Sequence, residues 1–332
     1  MKVSDLGEFG LIELLAKIVG TAGGDVLVGI GDDAACWRTD ASIQLATCDA
    51  LIQDVHFTLG TTTWRELGWK ALAVNLSDIA AMGGLPKYTL VSLGLPGDTD
   101  VEQVAELYRG MVELARPFDV AIVGGDLVAS PLVVLSLAVV GVARNILTRS
   151  AAVPGDRIAV TGYLGTSAAG LVMLQRGLEF SQEIAATLRE AHLKPYPRII
   201  EGQTLAQHRV KAAIDLSDGL VGDLTRVCQA SGVGARLFSG RVPIHPFVLQ
   251  SFGEDSINLA LSGGEDYELL FTADGQVIDR VKGLMSCPVT VIGDIVDGEP
   301  GVVRLFDDHG NEVKLEKGGW EHFTPRSGEE HR

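Results

Sequence analysis

Acidic residues in this chain gather beside glycines at the ends of apolar runs. The segments are Gly29-Ile30-Gly31-Asp32-Asp33, Thr47-Cys48-Asp49, Ser77-Asp78, Gly124-Gly125-Asp126, Asp215-Leu216-Ser217-Asp218-Gly219, Gly263-Gly264-Glu265-Asp266 and Gly293-Asp294. Two unit charges about 5 Å apart repel by about 3 kcal/mol at an effective dielectric near 20, so convergence of several carboxylates calls for cations. Carboxylate and hydroxyl oxygens without histidine or thiolate partners suit hard Mg²⁺ rather than zinc. The flanking glycines let backbone N–H groups approach an anion closely and form a nest around it. Taken singly, a Gly-Asp pair is a turn and a serine before an acid is a helix cap. Their number in one chain is what points to a polynuclear Mg²⁺ site. Asp5, Asp98, Asp100, Asp307 and Asp308 are assigned to turns, caps and surface.

The chain has no Gly-Lys dipeptide and no complete GxGxxG, which excludes the lysine-bearing phosphate loop and the dinucleotide fingerprint. A bound triphosphate would then be held chiefly through metal bridges, with Arg149 neutralising further charge. His56, after the acidic 49–54 stretch, is a candidate substrate contact. Trp320, after Gly318-Gly319, is a candidate for stacking on a flat cationic ring, with core packing as its alternative. Cys48 has no histidine arranged as a base and reads as a small buried residue.

These residues must be carried by alternating elements. Leu11, Ile12, Leu14, Leu15, Ile18 and Val19 recur at helical spacing. Strands are expected at Ile43–Cys48, Tyr88–Leu93, Ala121–Val123 and Leu132–Val142, with helices near 64–82 and 99–116. Past a polar stretch from Arg144 to Asp156, strands are expected at Arg157–Thr161, 211–214, 267–272, 289–292 and 302–306. Helices are expected at Gly165–Leu174, 181–192, 197–208, 217–230 and 275–284. Both halves read as α/β, with the boundary near 144–150 and the acid-glycine segments just past the strand ends. The repeated Leu-Ser-Asp at 76–78 and 216–218 leaves an internal duplication open.

At 332 residues and 46% hydrophobic content the chain supports one large or two medium cores, and two domains are expected. The net charge of −16 repels nucleic acid and anionic membranes. Four widely spaced cysteines without a CxxC pair argue against a disulfide framework and fit a reducing cytoplasm. No apolar run of about 18 residues occurs.

The chain resembles the thiamine-monophosphate kinases, within the superfamily of aminoimidazole ribonucleotide synthetase. The resemblance rests on Gly7-Glu8-Phe9, Gly29 to Ala34, Asp49 with His56-Phe57, the block from Lys70 to Gly84, Gly124-Gly125-Asp126, Thr161 to Gly165, Ile214 to Leu220, and Ser262 to Leu269. It implies a two-domain α/β (α+β) subunit with a mixed N-terminal sheet. Residues 1–145 would bind ATP and Mg²⁺ and form a homodimer, and 146–332 would complete the nucleotide and substrate site. It implies direct in-line transfer of the ATP γ-phosphoryl to thiamine monophosphate in the cytoplasm. By the same resemblance Asp33, Thr47, Cys48, Asp49, Asp78, Asp126, Asp215 and Asp218 would form the Mg²⁺ shell, with Asp78 and Asp218 catalytic. Gly125, Asp126, Arg149, Ser217 and Tyr108 would contact the nucleotide; His56, Glu265 and Trp320 would contact the thiamine half. Cys48 stands where the family usually has a hydroxyl, so it could contribute only its backbone carbonyl. A nucleotide-sensing dimer without turnover and a Mg²⁺ phosphohydrolase are the alternative readings.

Overall fold

The computed structural model describes residues 26–28, 32–39 and 42–315; the expected helix at Leu11–Val19, Gly29 to Gly31 and Trp320 lie outside them. In the first half the order is β1 (Val26–Val28), β2 (Ala35–Arg38), β3 (Ile43–Ile52), α1 (Trp64–Ala81), β4 (Leu85–Leu95), α2 (Val101–Ala115), β5 (Ala121–Ala129) and β6 (Val134–Ala143). The strands form one sheet in the order β1-β2-β3-β6-β4-β5, antiparallel except for the parallel β4–β5 pair.

The second half runs β7 (Arg157–Thr161), α3 (Thr166–Arg176), α4 (Gln182–Leu193), α5 (Ile199–Gln207), β8 (Ala212–Asp215), α6 (Leu220–Ser231) and β9 (Gly234–Phe238). It continues through α7 (Pro246–Phe252), α8 (Ser256–Ser262), β10 (Leu269–Ala273), α9 (Gly275–Lys282), β11 (Val289–Val296), β12 (Val303–Phe306) and β13 (Glu312–Val313). Its sheet has the order β13-β12-β9-β11-β7-β10-β8, antiparallel except for β9–β12. The fold is therefore mixed α/β in both halves.

Helix α1 joins the two. Thr63 caps it, accepting a hydrogen bond from the Glu66 N–H while the Glu66 carboxylate accepts one from the Thr63 N–H. Its Lys70-to-Ala81 run is buried around almost the whole circumference, apolar except for Lys70, Asn75, Ser77 and Asp78, as in a helix with no solvent face. It packs on β3 and β6 of the first sheet and on β8 and α5 of the second half. Leu76, Ala80 and Ala81 share one continuous core with Ile199, Leu205, Ala213 and Phe271. At the α1–α5 contact Gly202 is required: a Cβ there would come within 2.0 Å of the Ala80 carbonyl oxygen.

Strand alternation gives the first sheet two unlike faces. Leu45, Leu51, Val91, Leu93, Leu135, Leu137 and Val139 are buried on the helix side. On the opposite side Cys48, Ala50, Tyr88, Leu90 and Ser92 are exposed, with Ser136, Ala138 and Val140 half-buried among them. The edge strand β5 leaves Val123, Leu127 and Val128 more than half exposed.

Two expectations change here. Strands β3 and β5 run on through Asp49 and Asp126, so these acids lie inside strands rather than past their ends. The cause is continued pairing, since β6 keeps its ladder with β3 through Ile52 and β4 keeps its own with β5 through Ala129. Strands β1, β2, β9 and β13 and helices α7 and α8 were not expected from periodicity, being short elements of two to seven residues.

Candidate active site

Three polar side chains within one turn of α1, Asn75, Ser77 and Asp78, reach three different places. The Asn75 side chain accepts from the Asp49 N–H at 3.0 Å and donates to the Ala71 carbonyl, which fixes β3 against the helix. Ser77, fully buried, donates its hydroxyl to Asp215 Oδ2 at 2.6 Å, tying the end of β8 to the first half. Asp78 accepts from the Thr47 hydroxyl at 2.5 Å. Ser77 is therefore a mid-helix donor rather than a cap. The two Leu-Ser-Asp segments differ in structure, 76–78 lying mid-helix and 216–218 in the turn that follows β8.

From the second half, the chain leaves β8 at Asp215 and turns through Ser217-Asp218-Gly219 before α6 begins at Leu220. The expected helix start at 217 fails because Gly219 has φ +112°, outside helical space. Asp223, fully buried on α6, accepts from the N–H groups of Asp218 (3.1 Å) and Gly219 (3.2 Å). Arg226 bridges Asp223 Oδ1 at 2.5 Å and Asp218 Oδ2 at 2.6 Å, aiming the Asp218 side chain. The Gly263-to-Glu268 segment lies alongside: the N–H of Glu265 donates to the Ser217 carbonyl (2.7 Å) and that of Tyr267 to the Leu216 carbonyl (2.9 Å). Both Glu265 and Tyr267 are left-handed, at φ +65° and +50°. Such non-glycine conformations cost about 1–3 kcal/mol each and persist where surrounding contacts impose them.

Asp33, Asp78 and Asp215 each place a carboxylate oxygen within 4.8 Å of the others. Burial raises Asp215 and Asp78 well above the ordinary aspartate range, and neighbouring carboxylates push them further. Asp49 is raised to about 6, by burial first and then by the charges of Asp218 and Asp33. Asp32 is likewise raised to about 6, by burial and by Asp33. Arg149 pairs with Asp33 and receives a backbone hydrogen bond's worth of order from Asp32, whose Oδ2 accepts the Arg149 N–H at 3.0 Å. Yet Asp33 Oδ2 is buried with no hydrogen-bond partner among the described residues. A buried, unpartnered carboxylate oxygen facing two other carboxylates fits a divalent cation, and the all-oxygen donor set suits Mg²⁺.

The other expected residues are placed as follows. The Cys48 side chain is exposed on the open face of the sheet, 3.4 Å from the Ser136 hydroxyl, and neither buried as expected nor on the side of Thr47 and Asp49. Strand alternation is the reason, since adjacent residues of β3 face opposite ways. Gly125 and Asp126 lie on β5, separated from β3 by β6 and β4, a span of about 14 Å at the usual strand spacing. A Cβ on Gly125 would come within 1.9 Å of the Val91 carbonyl oxygen, so the β4–β5 pairing itself requires glycine. Tyr108 packs from α2 against the first core. His56 Nδ1 accepts the Ile52 N–H at 3.1 Å, which leaves its Nε2 to carry the proton when the ring is neutral.

Sequence reasoning missed Asn75, Asp223 and Arg226. Polar Asn75 inside a largely apolar helical run was the available signal; Asp223 and Arg226 stand in no motif, and only the folded turn at 217–219 brings out their role. A cavity of about 1230 Å³, lined by Thr61 to Arg65, Asp98 to Gln103 and Arg189, contains none of the clustered carboxylates. The chemistry follows the carboxylates rather than the volume.

The raised carboxylates bind protons more tightly folded than unfolded, where aspartate titrates near 3.9. Their stabilisation is full below about pH 4 and is lost as pH rises through about 6 for Asp49 and Asp32 and about 7 for Asp223. In chelator, the thermal unfolding midpoint should fall by several degrees between pH 5 and 7.5. Added Mg²⁺ should restore more at pH 7.5 than at pH 5. A midpoint that rises over this range, or equal Mg²⁺ effects at both pH values, would contradict the burial of mutually repelling carboxylates.

The family model for AIR synthase related protein, N-terminal domain, matches residues 31–143, and that for the C-terminal domain matches residues 153–305. The thiamine-monophosphate kinase of Aquifex aeolicus is 35% identical over 326 residues, covering 97% of this chain and 100% of the relative. That of Escherichia coli K12 is 38% identical over 326 residues, covering 96% and 98%. The solved structure of AaThiL complexed with AMPPCP and TMP superposes with a TM-score of 0.86 at 35% identity, covering 97% of this chain and 99% of that one. With both of its domains matched and its full-length relatives well above 30% identity, the chain belongs to the AIR synthase related proteins and, among them, to the thiamine-monophosphate kinase family.

Proposed function

We propose that this chain transfers the γ-phosphoryl group of ATP in line to the phosphate of thiamine monophosphate, giving ADP and thiamine diphosphate. The observation that carries this reading is the convergence of Asp33, Asp78 and Asp215 from both halves around an unpartnered Asp33 oxygen. The family membership supports the substrates, since a relative was solved with AMPPCP and TMP.

Asp33, Thr47, Asp49, Asp78, Asp215 and Asp218 would hold Mg²⁺ ions, with Cys48 limited to its backbone carbonyl. When bound, these ions neutralise the triphosphate and the charge that develops in transfer. The protein's own contribution is alignment. Ser77 and Asn75 keep Asp215 and β3 in place, and Arg226 aims Asp218. Arg149 and the Ser217 loop would meet the phosphates of ATP. A phosphate oxygen of thiamine monophosphate attacks the γ-phosphorus as the bond to the β–γ bridging oxygen breaks, and ADP leaves with that oxygen. His56, Glu265 and Trp320 are assigned to the thiamine half. Residues 1–145 would bind the nucleotide and dimerise, and 146–332 would complete the site.

The uncovered face of the first sheet supports the homodimer. Ala50, Tyr88, Leu90 and Val128 are apolar side chains exposed on that face of β3, β4 and β5, which a monomer would leave in water. A second copy is the occupant, and Gly125 and Asp126 stand at the same edge. Their part in nucleotide and cation binding, like that of Tyr108, is tied to that assembly. Sedimentation should give twice the chain mass, and Leu90→Asp should give monomers; a wild-type monomer at micromolar concentration would refute the pairing.

Incubation with ATP, Mg²⁺ and thiamine monophosphate should yield ADP and thiamine diphosphate in equal amounts, and neither without Mg²⁺. Asp78→Asn should lower turnover by about 10³-fold or more with the fold intact. ADP without thiamine diphosphate would move the acceptor elsewhere, and near-normal turnover of Asp78→Asn would remove it from the metal shell.

A further inference from the structure

A second ionic cluster, sharing no carboxylate with the Asp33, Asp78 and Asp215 group, centres on Glu265. Lys70, on α1, is 1% exposed, and its Nζ is 2.9 Å from Glu265 Oε1. His192 of α4 places Nδ1 3.4 Å from Glu265 Oε2 and 3.1 Å from the Ser167 hydroxyl at the start of α3. The pair thus joins the first half to the second. An apolar side chain at position 70 would pack well in this helix, whereas a buried ammonium must be paired to be tolerated. Stability alone therefore gives a weak reason for a lysine here.

The lysine's effect falls on Glu265. Burial alone would raise this carboxyl, but the charge of Lys70 and then those of His192 and His56 more than offset it and hold it below the ordinary glutamate range. His192 is itself pushed down to about 4, by burial and by Lys70, so at neutral pH Lys70 is the charge that keeps Glu265 anionic. The left-handed backbone at Glu265 is held by its N–H bond to Ser217, and the side chain is held by its contacts to Lys70 and His192. About a quarter of that side chain remains exposed, although Lys70 is sealed behind it. A carboxylate has roughly four lone-pair sites, so the contacts to Lys70 and His192 leave some for a ligand.

We propose that Lys70 is a positioning residue for substrate: from inside the first half it holds the Glu265 carboxylate ionised and aimed outward, to receive the cationic heterocycle of thiamine monophosphate. This rests on the substrate reading given above. Lys70 does not touch the substrate; it acts through Glu265.

The test compares Michaelis constants in the full-length enzyme. Lys70→Gln should raise KM for thiamine monophosphate about tenfold while KM for ATP and the Mg²⁺ requirement stay within about twofold, the pattern of lost ground-state binding. Glu265→Gln should do the same. The double variant Lys70→Met/Glu265→Gln removes both charges, so it avoids stranding a buried one, and it should bind thiamine monophosphate no more weakly than Glu265→Gln alone. It carries the comparison if thermal unfolding finds Lys70→Gln poorly folded. A wild-type KM in Lys70→Gln, an equal rise for both substrates, or a double variant whose loss is the product of the two singles would overturn the proposal. A wild-type protein inactive toward thiamine monophosphate would overturn the substrate reading and this inference with it; an active wild type with an unaffected Lys70→Gln would overturn this inference alone.

Discussion

The structure depends on holding several carboxylates together in a buried place where each raises the energy of the others. Asp215 is 3% exposed and Asp78 faces it across the junction of the two halves. Charges this close would separate the halves or take up protons unless other forces fixed them. Those forces come from α1. Its apolar surface is buried against both sheets, and that burial sets the distance between halves. Ser77 and Asp78 then project at the junction at a spacing the surrounding core does not let them change. The Ser77–Asp215 hydrogen bond is the smallest complete statement of this: a helix of one half supplying the donor for a clustered acid of the other.

A second layer of residues orders the loops that carry the remaining acids. Asp223 and Arg226 hold the Ser217–Gly219 turn, and Gly264 lets the Glu265 segment lie close: a Cβ there would meet the Ser217 carbonyl oxygen at 2.5 Å. The site is thus preorganised by contacts whose only apparent alternative is unsatisfied burial. Cations would complete it by supplying what Asp33 Oδ2 lacks.

Much of this was legible in the sequence. Long periodic segments such as 64–82 and 99–116 were recovered to within two residues as α1 and α2, because their apolar positions and caps are local signals. Asp33, Asp78 and Asp215 were named from acid and glycine patterning and from family resemblance, and they do converge. What escaped was set by the third dimension. Nothing local to Cys48 says that it faces away from Thr47 and Asp49; that follows from where β3 meets α1. Asp126 matches a family motif, yet β6 inserts between β3 and β4 and carries it three strands away. Lys70 reads as an ordinary charged helix residue until Glu265, 195 positions later, arrives opposite it.

Binding of Mn²⁺ in place of Mg²⁺, followed by electron paramagnetic resonance with a non-hydrolysable ATP analogue present, tests the central claim most directly. If acids of both halves jointly hold the cations, wild-type protein binds Mn²⁺ stoichiometrically and Asp215→Asn, with an unchanged circular dichroism spectrum, binds it at least about tenfold more weakly. Equal Mn²⁺ affinity in the two proteins would contradict the account, since Asp215 would then be a structural acid and the cations would be held elsewhere.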